Sequence, residues 1–428
     1  MPRKSPEKHV HSHLRGMRQS ATLAITEHSN ALISEGRTVY KLGLGQSPFP
    51  VPSPIVEALR ANAHQKEYLP VRGLWDLRRA IAHYTERKAG IDRTAEDVLV
   101  GPGSKALMFL LSLVYRGDLI IPTPTWSSHA AQARVIGRPV RWIHTEASEH
   151  FALTPEALSA ALADDPSRPR MVVLGYPSNP TGATLKIDQL KALAAVAREH
   201  DALLLSDEIY GELHHKGKHV SIARYYPEGT IIATGLSKWL GAGGWRVGTL
   251  VFPERLRWLL DAMSAVASET FTSTSAPLQY AAVTAFEGGE EIERYLGNAR
   301  RVLNALGRWC ARKLRGVSVE CPQPIGGFYL FVDFSALRER LAERGVTTAR
   351  ELCARLLADT GVAILPGSEF GRPDAELTAR IAYVDFDGAR ALEAVAVIPV
   401  EQPLDRTFLK RHCRPVVSAI ESVCAWVA

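Results

Sequence analysis

Lys238 stands directly after an apolar run, in Thr234-Gly-Leu-Ser237-Lys238-Trp-Leu-Gly-Ala-Gly-Gly-Trp-Arg246-Val-Gly248. An amine at a strand end, with a guanidinium eight residues further on in a glycine-rich loop, can close around one small anion. In its neutral form such an amine attacks a carbonyl and can later carry a proton, and nearby cations favour that neutral form. A solvated surface lysine would need neither Ser237 before it nor the glycines after it. A second anion cradle lies earlier, where Gly101-Pro-Gly103-Ser104-Lys105 opens a helical stretch. There free backbone N–H groups and the positive end of a helix dipole face a ligand. This segment is not G-x-x-x-x-G-K-[ST], and 241–246 departs from G-x-G-x-x-G at its sixth position. Neither a nucleoside-triphosphate nor a dinucleotide fingerprint is therefore present.

Ligands of parallel α/β sheets bind beyond the carboxyl ends of the strands, so the elements that precede such residues matter. Helical spacing over 54–64 and 73–89 leads to a strand at 97–100, a helix at 104–115, a strand at 118–121 and a helix at 127–136. Strands at 138–143, 170–175 and 202–206 then alternate with helices at 155–163 and 187–200. Nearly continuous apolar strands such as 171–174 and 202–205 predict a mainly parallel sheet covered on both faces, an α/β domain. After strands at 230–234 and 248–252 come long helices at 253–267, 275–286 and 290–314. Strands at 327–333, 361–365 and 379–384 then predict a smaller α+β domain, and no internal repeat is visible.

Further polar stations follow these strands. Pro177-Ser-Asn179-Pro-Thr-Gly182 comes after 170–175, and Ser206-Asp207-Glu-Ile-Tyr210 after 202–205. Pro124-Thr-Trp126, Leu42-Gly-Leu-Gly45-Gln-Ser-Pro, Tyr68-x-x-x-x-Gly73 and Ala379-Arg380-Ile-Ala complete the set. Together with the Lys238 segment, over about 38–395, the chain resembles the class I/II aminotransferase family of pyridoxal-phosphate enzymes, and within it the prokaryotic-type aspartate aminotransferases. The resemblance implies the fold-type I architecture. A large domain at 55–295 would hold a mainly parallel seven-stranded-type sheet, and a smaller α+β domain would fill 296–428 with its terminal extension. Residues 1–54 would form an N-terminal arm and part of the small domain. It also implies pyridoxal 5′-phosphate as cofactor, a homodimer with shared active sites, and transfer of an amino group from an L-amino acid, aspartate first, to a 2-oxo acid such as 2-oxoglutarate. The same fold and cofactor also serve β-elimination, decarboxylation and biosynthetic modification of amino acids.

Carried over position by position, the resemblance gives Lys238 the Schiff base and the proton shuttle. Asp207 would keep the pyridine nitrogen protonated, although an aspartate there also fits the N-cap of a following helix. Tyr210 and Asn179 would bond the phenolic oxygen, while Asn179 fits equally as a turn residue before Pro180. Trp126 would stack on the ring. Gly103, Ser104, Lys105, Ser237 and Arg246 would surround the phosphate, and Tyr68 would reach the phosphate of the neighbouring subunit. Arg380 would clamp the substrate α-carboxylate, with the Gly45 backbone close by. Lys105 either reads the distal carboxylate of an acidic substrate or reinforces the phosphate field. Trp239 and Trp245 add indole to the region of Trp126 and would narrow the pocket or bias it to aromatic side chains.

Composition excludes several other classes. The chain has 428 residues, 46% hydrophobic and 22% charged, which is neither disordered nor collagenous. Much of its net charge of +6 sits in the arm, where Arg3, Lys4, Lys8, Arg15 and Arg18 face only Glu7. The remainder carries no basic face, so no nucleic acid or membrane surface is expected as a partner. His9, His11 and His13 alternate in that arm, but a solvated tail lacks the supporting shell of a metal site, and no metal is expected. Five cysteines, at 310, 321, 353, 413 and 424, form no C-x-x-C pair and read as reduced thiols. The first residues lack a signal-peptide core, and the most apolar stretch, 106–115, is about half a membrane span, so a cytoplasmic protein is expected. The apolar period over 416–427 predicts a last helix packing Val417, Ile420, Val423 and Trp426 on the small domain.

Overall fold

The computed structural model describes residues 9–164 and 168–428. The first strand, β1 (Tyr40–Lys41), stays out of the main sheet. The next seven are β2 (Val98–Gly101), β3 (Asp118–Thr123), β4 (Val140–His144), β5 (Arg170–Gly175), β6 (Leu203–Asp207), β7 (Thr230–Gly235) and β8 (Gly248–Val251). They form one sheet in the order β2-β8-β7-β6-β5-β3-β4. From β3 to β7 all neighbours pair in parallel, and only β8 runs against both β7 and β2.

Side-chain alternation explains why these strands read as unbroken apolar runs. Met171, Val173, Leu203 and Leu205 face one core layer, packed with the helices Ser104–Val114 and Arg257–Ser268. Val172, Leu174, Ala202 and Leu204 face the other, with the helices Pro155–Leu162 and Ile187–Glu199. Each fully buried Val or Leu contributes roughly 1.5–3 kcal/mol, so both faces hold the strand ends rigid.

The second unit is built on β9 (Tyr329–Asp333), β10 (Val362–Ala363), β11 (Leu365–Pro366) and β12 (Thr378–Ala382). β12 lies between β9 and β11, antiparallel to both. β1 pairs in parallel with β10, which brings the segment after the arm onto this unit. The long helix Glu290–Arg315 buries a stripe from Ile292 to Leu314, and the last helix, Arg414–Val427, packs Val416, Val417, Ile420 and Val423 against the same core. Trp426 is only partly buried, with the Arg344 guanidinium 4.0 Å from its ring and its Nε1 donating to Asp359.

The arm differs from the expectation of a solvated tail. Arg3, Lys4, Glu7 and Lys8 lie outside the described residues, but a short turn at Ser12–Leu14 sits on the helix Ser128–Val135. Arg134 donates to the carbonyls of His13 (3.0 Å) and Arg15 (2.9 Å). A helix then runs over Ala21–Ser34, with only Ser29 and Leu32 buried, too narrow a stripe to show as periodicity. All five cysteines are free, and burial raises the thiols of Cys310, Cys321, Cys353, Cys413 and Cys424. Among the described residues no helix is long and apolar enough to cross a membrane, and no His, Cys, Asp and Glu group could hold a metal ion.

Candidate active site

Parallel strands deliver their carboxyl ends to one edge of the sheet, and the polar stations collect there. β3 ends three residues before Trp126, β5 four before Asn179, β6 on Asp207 itself, and β7 three before Lys238. The smaller unit closes the opposite side with Tyr329 from β9, Arg380 from β12 and Gly45 from the loop after β1. The result is a cavity of about 400 Å³. It is lined by Gly45, Ser104, Lys105, Trp126, Asn179, Asp207, Tyr210, Ser237, Lys238, Arg246 and Arg380.

Two expected site residues do not line it. Gly103 lies just behind, in the N-cap position of the helix Ser104–Val114 at φ 91°, where a side chain would run into the Arg246 guanidinium. Tyr68 is 89% exposed and stands outside the cavity of its own chain. The indoles are also distributed differently from the expectation: Trp126 lines the cavity, whereas Trp239 is turned into the core. There Trp239 stacks on Tyr84 at 6.1 Å and meets Phe286, because its position after Lys238 points it to the apolar side. Trp245 packs against that core and does not narrow the pocket.

Lys238 is buried, and its Nζ donates to the Gly45 carbonyl at 2.5 Å. Burial, then Arg380 and Arg246, hold its ammonium down to about 8, with Asp207 opposing. Asp207 moves the other way: burial raises it to about 7, against a bond from the Ile209 N–H, and the Glu208 charge adds to the rise. No α-helix starts at Glu208, so Asp207 is a strand-end residue and not an N-cap. Tyr210 and Tyr329 share a hydroxyl–hydroxyl bond of 2.7 Å.

Arg380 is the most constrained cation. It is 1% exposed, donates to Asn179 Oδ1 (2.9 Å) and to the Gly43 carbonyl, and is flanked by the rings of Tyr329 (4.7 Å) and Phe370 (4.8 Å). Its Nε has no partner, and among the described residues no carboxylate faces it. A guanidinium so buried calls for an anion that arrives from outside. Gly45 is tight against the same place, since a Cβ there would strike the Tyr329 hydroxyl. Lys105 lies at a separate position, 5.6 Å from the Trp126 ring, where burial and then Arg246 lower its ammonium.

Several lining residues were not expected. Tyr329 lies in the strand expected at 327–333, inside an unbroken apolar run that gives it no distinguishing signal. Thr22 and Leu23 come from the arm helix, which gave no period, and Ser20 from the N-cap position before it. His129, three residues after Trp126, meets that ring edge-on at 5.3 Å, and burial lowers its imidazole to about 4, so it faces the cavity neutral.

Comparison with known proteins decides what this cavity belongs to. The family described as aminotransferase class I and II matches residues 37–397. The chain belongs to that family. The aspartate aminotransferase of Geobacillus stearothermophilus is 36% identical over 365 residues, 83% of this chain and 90% of its own length. An asparagine–oxo-acid transaminase of Streptococcus mutans is 34% identical, covering 84% of this chain and 91% of its own. Among solved structures, the Thermus thermophilus aspartate aminotransferase with maleate superposes at TM-score 0.80, with 30% identity over 90% of this chain and 97% of its own. This aminotransferase is thus a pyridoxal-phosphate-dependent transferase. Its cavity fits that group: a buried, readily neutralised lysine, a buried carboxylate, and a helix N-terminus beside Arg246 with room for an anion.

Proposed function

We propose that this aminotransferase takes its amino group from aspartate, passes it to 2-oxoglutarate, and works as a cytoplasmic homodimer whose cavities are completed by Tyr68 of the partner subunit. The reading rests on two cationic positions in one cavity. Arg380 borders Tyr329 and Tyr210, whereas Lys105 borders Arg246, and neither has a carboxylate of its own facing it among the described residues. A C4 dicarboxylate suits both. The names of the Geobacillus and Thermus relatives, and the maleate of the latter, support the same choice. An exposed Tyr68 outside its own cavity supports the shared site, and raised, free thiols suit a reducing compartment. The division into 55–295 and 296–428, with 1–54 contributing to the latter, is supported by the pairing of β1 with β10.

In this reading pyridoxal phosphate, once bound, supplies an electron sink that makes the substrate Cα–H acidic. Ser104, Ser237, Arg246 and the backbone at Gly103 would hold its phosphate, while Lys105 would meet the distal carboxylate of the substrate. Trp126, which lines the cavity, would cover one face of the ring. Asp207, buried and at the β6 end, would hold the proton of the ring nitrogen, and Tyr210 with the amide N–H of Asn179 would donate to the phenolic oxygen. Lys238 would hold the cofactor and, released, would move the proton at Cα, which its lowered affinity for protons permits near neutral pH. Arg380 and the Gly45 backbone orient the α-carboxylate.

The test is a spectral titration with single amino acids and no oxo acid. Aspartate and glutamate should convert a band near roughly 420 nm to one near roughly 330 nm, and Lys238→Ala should lose the first band. Conversion by asparagine alone would replace the donor, in line with the Streptococcus relative. Release of ammonia without conversion would overturn transamination.

A further inference from the structure

Glu208 is a buried carboxylate that no step above uses, although it separates Asp207 from the Ile209-Tyr210 pair. Its Oε1 accepts from Ser206 Oγ (2.8 Å) and Ser221 Oγ (2.5 Å), and its Oε2 meets His219 Nε2 at 2.8 Å. His219 in turn lies 5.2 Å from the Tyr176 ring, and the Tyr176 hydroxyl accepts from the Ile222 N–H at 2.6 Å. One carboxylate therefore gathers the end of β6, the segment around 219–222 and, through His219 and Tyr176, the end of β5. Across a small cavity beneath it stand Tyr84, Lys88 and Glu212.

We propose that Glu208 is a positioning residue for the transfer site, bracing the β6 end so that Asp207 and Tyr210 are held against the cofactor ring, and setting the field that Asp207 feels. The inference rests on the assignment of Asp207 to the ring nitrogen. A brace alone would not need a charge. Burying a carboxylate costs several kcal/mol before its partners compensate, and an amide of the same shape would bond both serines without that cost. A negative charge next to Asp207 does what an amide cannot: it disfavours a second isolated negative charge there and favours Asp207 paired with a cation. The rise of the Asp207 carboxyl, to which Glu208 contributes after burial, runs in that direction. A protonated ring nitrogen is such a cation.

The test uses holoenzyme of Glu208→Gln and Glu208→Asp. The first keeps the shape and removes the charge; the second keeps the charge and withdraws the oxygens. Glu208→Gln should lower the pH midpoint of the cofactor band by about half a unit or more, because a nearby negative charge that favours a protonated group is removed. It should also cut kcat about tenfold while KM for the amino acid changes less than about threefold, since Glu208 touches no substrate. Glu208→Asp should keep the midpoint and lose part of kcat. Wild-type midpoints and kcat in both variants, with only thermal stability reduced, would overturn the proposal and leave a structural brace. If Glu208→Gln does not fold, Ser221→Ala removes one donor and should lower kcat at unchanged KM; an unchanged kcat would overturn the proposal. A wild-type protein without the band, or a band that survives in Lys238→Ala, would sink the site assignment itself, an outcome distinct from an unmoved Glu208→Gln.

Discussion

Replacing Arg380 by lysine probes the proposed α-carboxylate clamp most directly. The native guanidinium is planar, 1% exposed, and fixed by Asn179, by the Gly43 carbonyl and by two aromatic rings, so it can meet a carboxylate with two parallel N–H groups. An ammonium keeps the charge but presents a point donor on a flexible stem, and at most one of those two bonds survives. A hydrogen bond to a charged group is worth about 1.5–3 kcal/mol, so kcat/KM should fall about 10- to 150-fold. Because every amino acid carries the α-carboxylate, the factor should be the same, within about threefold, for aspartate, glutamate and alanine. The half-reaction followed through the cofactor band, with single amino acids in excess, measures all three. A loss confined to the dicarboxylates would mean that Arg380 reads the side chain and not the α-carboxylate, and a loss below about threefold would mean that the buried guanidinium binds no substrate group.

Lys105→Met should show the complementary selectivity: kcat/KM for aspartate falls about 10-fold or more while alanine changes less than about threefold, and an equal loss for both would place Lys105 on the phosphate instead. The apoprotein should also show a distinctive pH profile of thermal stability. Asp207 keeps its proton up to about 7 when folded against 3.8 in the unfolded chain, so stability falls as pH rises between those values. Lys238 gives up its proton at about 8 when folded against 10.5 unfolded, so stability rises with pH between those values. The two groups together leave the apoprotein weakest between about 7 and 8; an Asp207→Asn, Lys238→Met double variant should raise Tm at pH 7.5 and flatten the dip, and a profile parallel to wild type would refute the burial of both charges.

Much of the sheet was legible because buried parallel strands must be apolar on both faces, and β5 was expected at 170–175, where it lies. The insertion of β8 between β2 and β7 was not, since its direction is set by pairing across distant segments and leaves no local period. The short helices Arg338–Glu343, Ala349–Thr360 and Gly388–Ala396 were passed over between recognisable strands. Site residues that follow strands, such as Asp207 and Lys238, could be placed from the chain because the strand end fixes their address. Those supplied by the arm helix could not, because Ser20, Thr22 and Leu23 are ordinary helix-start residues until the fold lays them over the cavity. Glu208 was read as part of a motif, yet its three partners come from both sides of it in the chain, and only the folded structure joins them.

The contacts that hold the cavity together are long in sequence. Lys238 bonds to Gly45 across 193 positions, Arg380 to Asn179 across 201, and Arg380 to Gly43 across 337. In chain order the seven strands of the main sheet, with Asp207 and the Lys238 loop, are complete at Val251, well before β12. Loop closure over such distances is slow compared with helix formation. Lys238 is thus synthesised well before Arg380, the residue that would orient the α-carboxylate in the proposed reading.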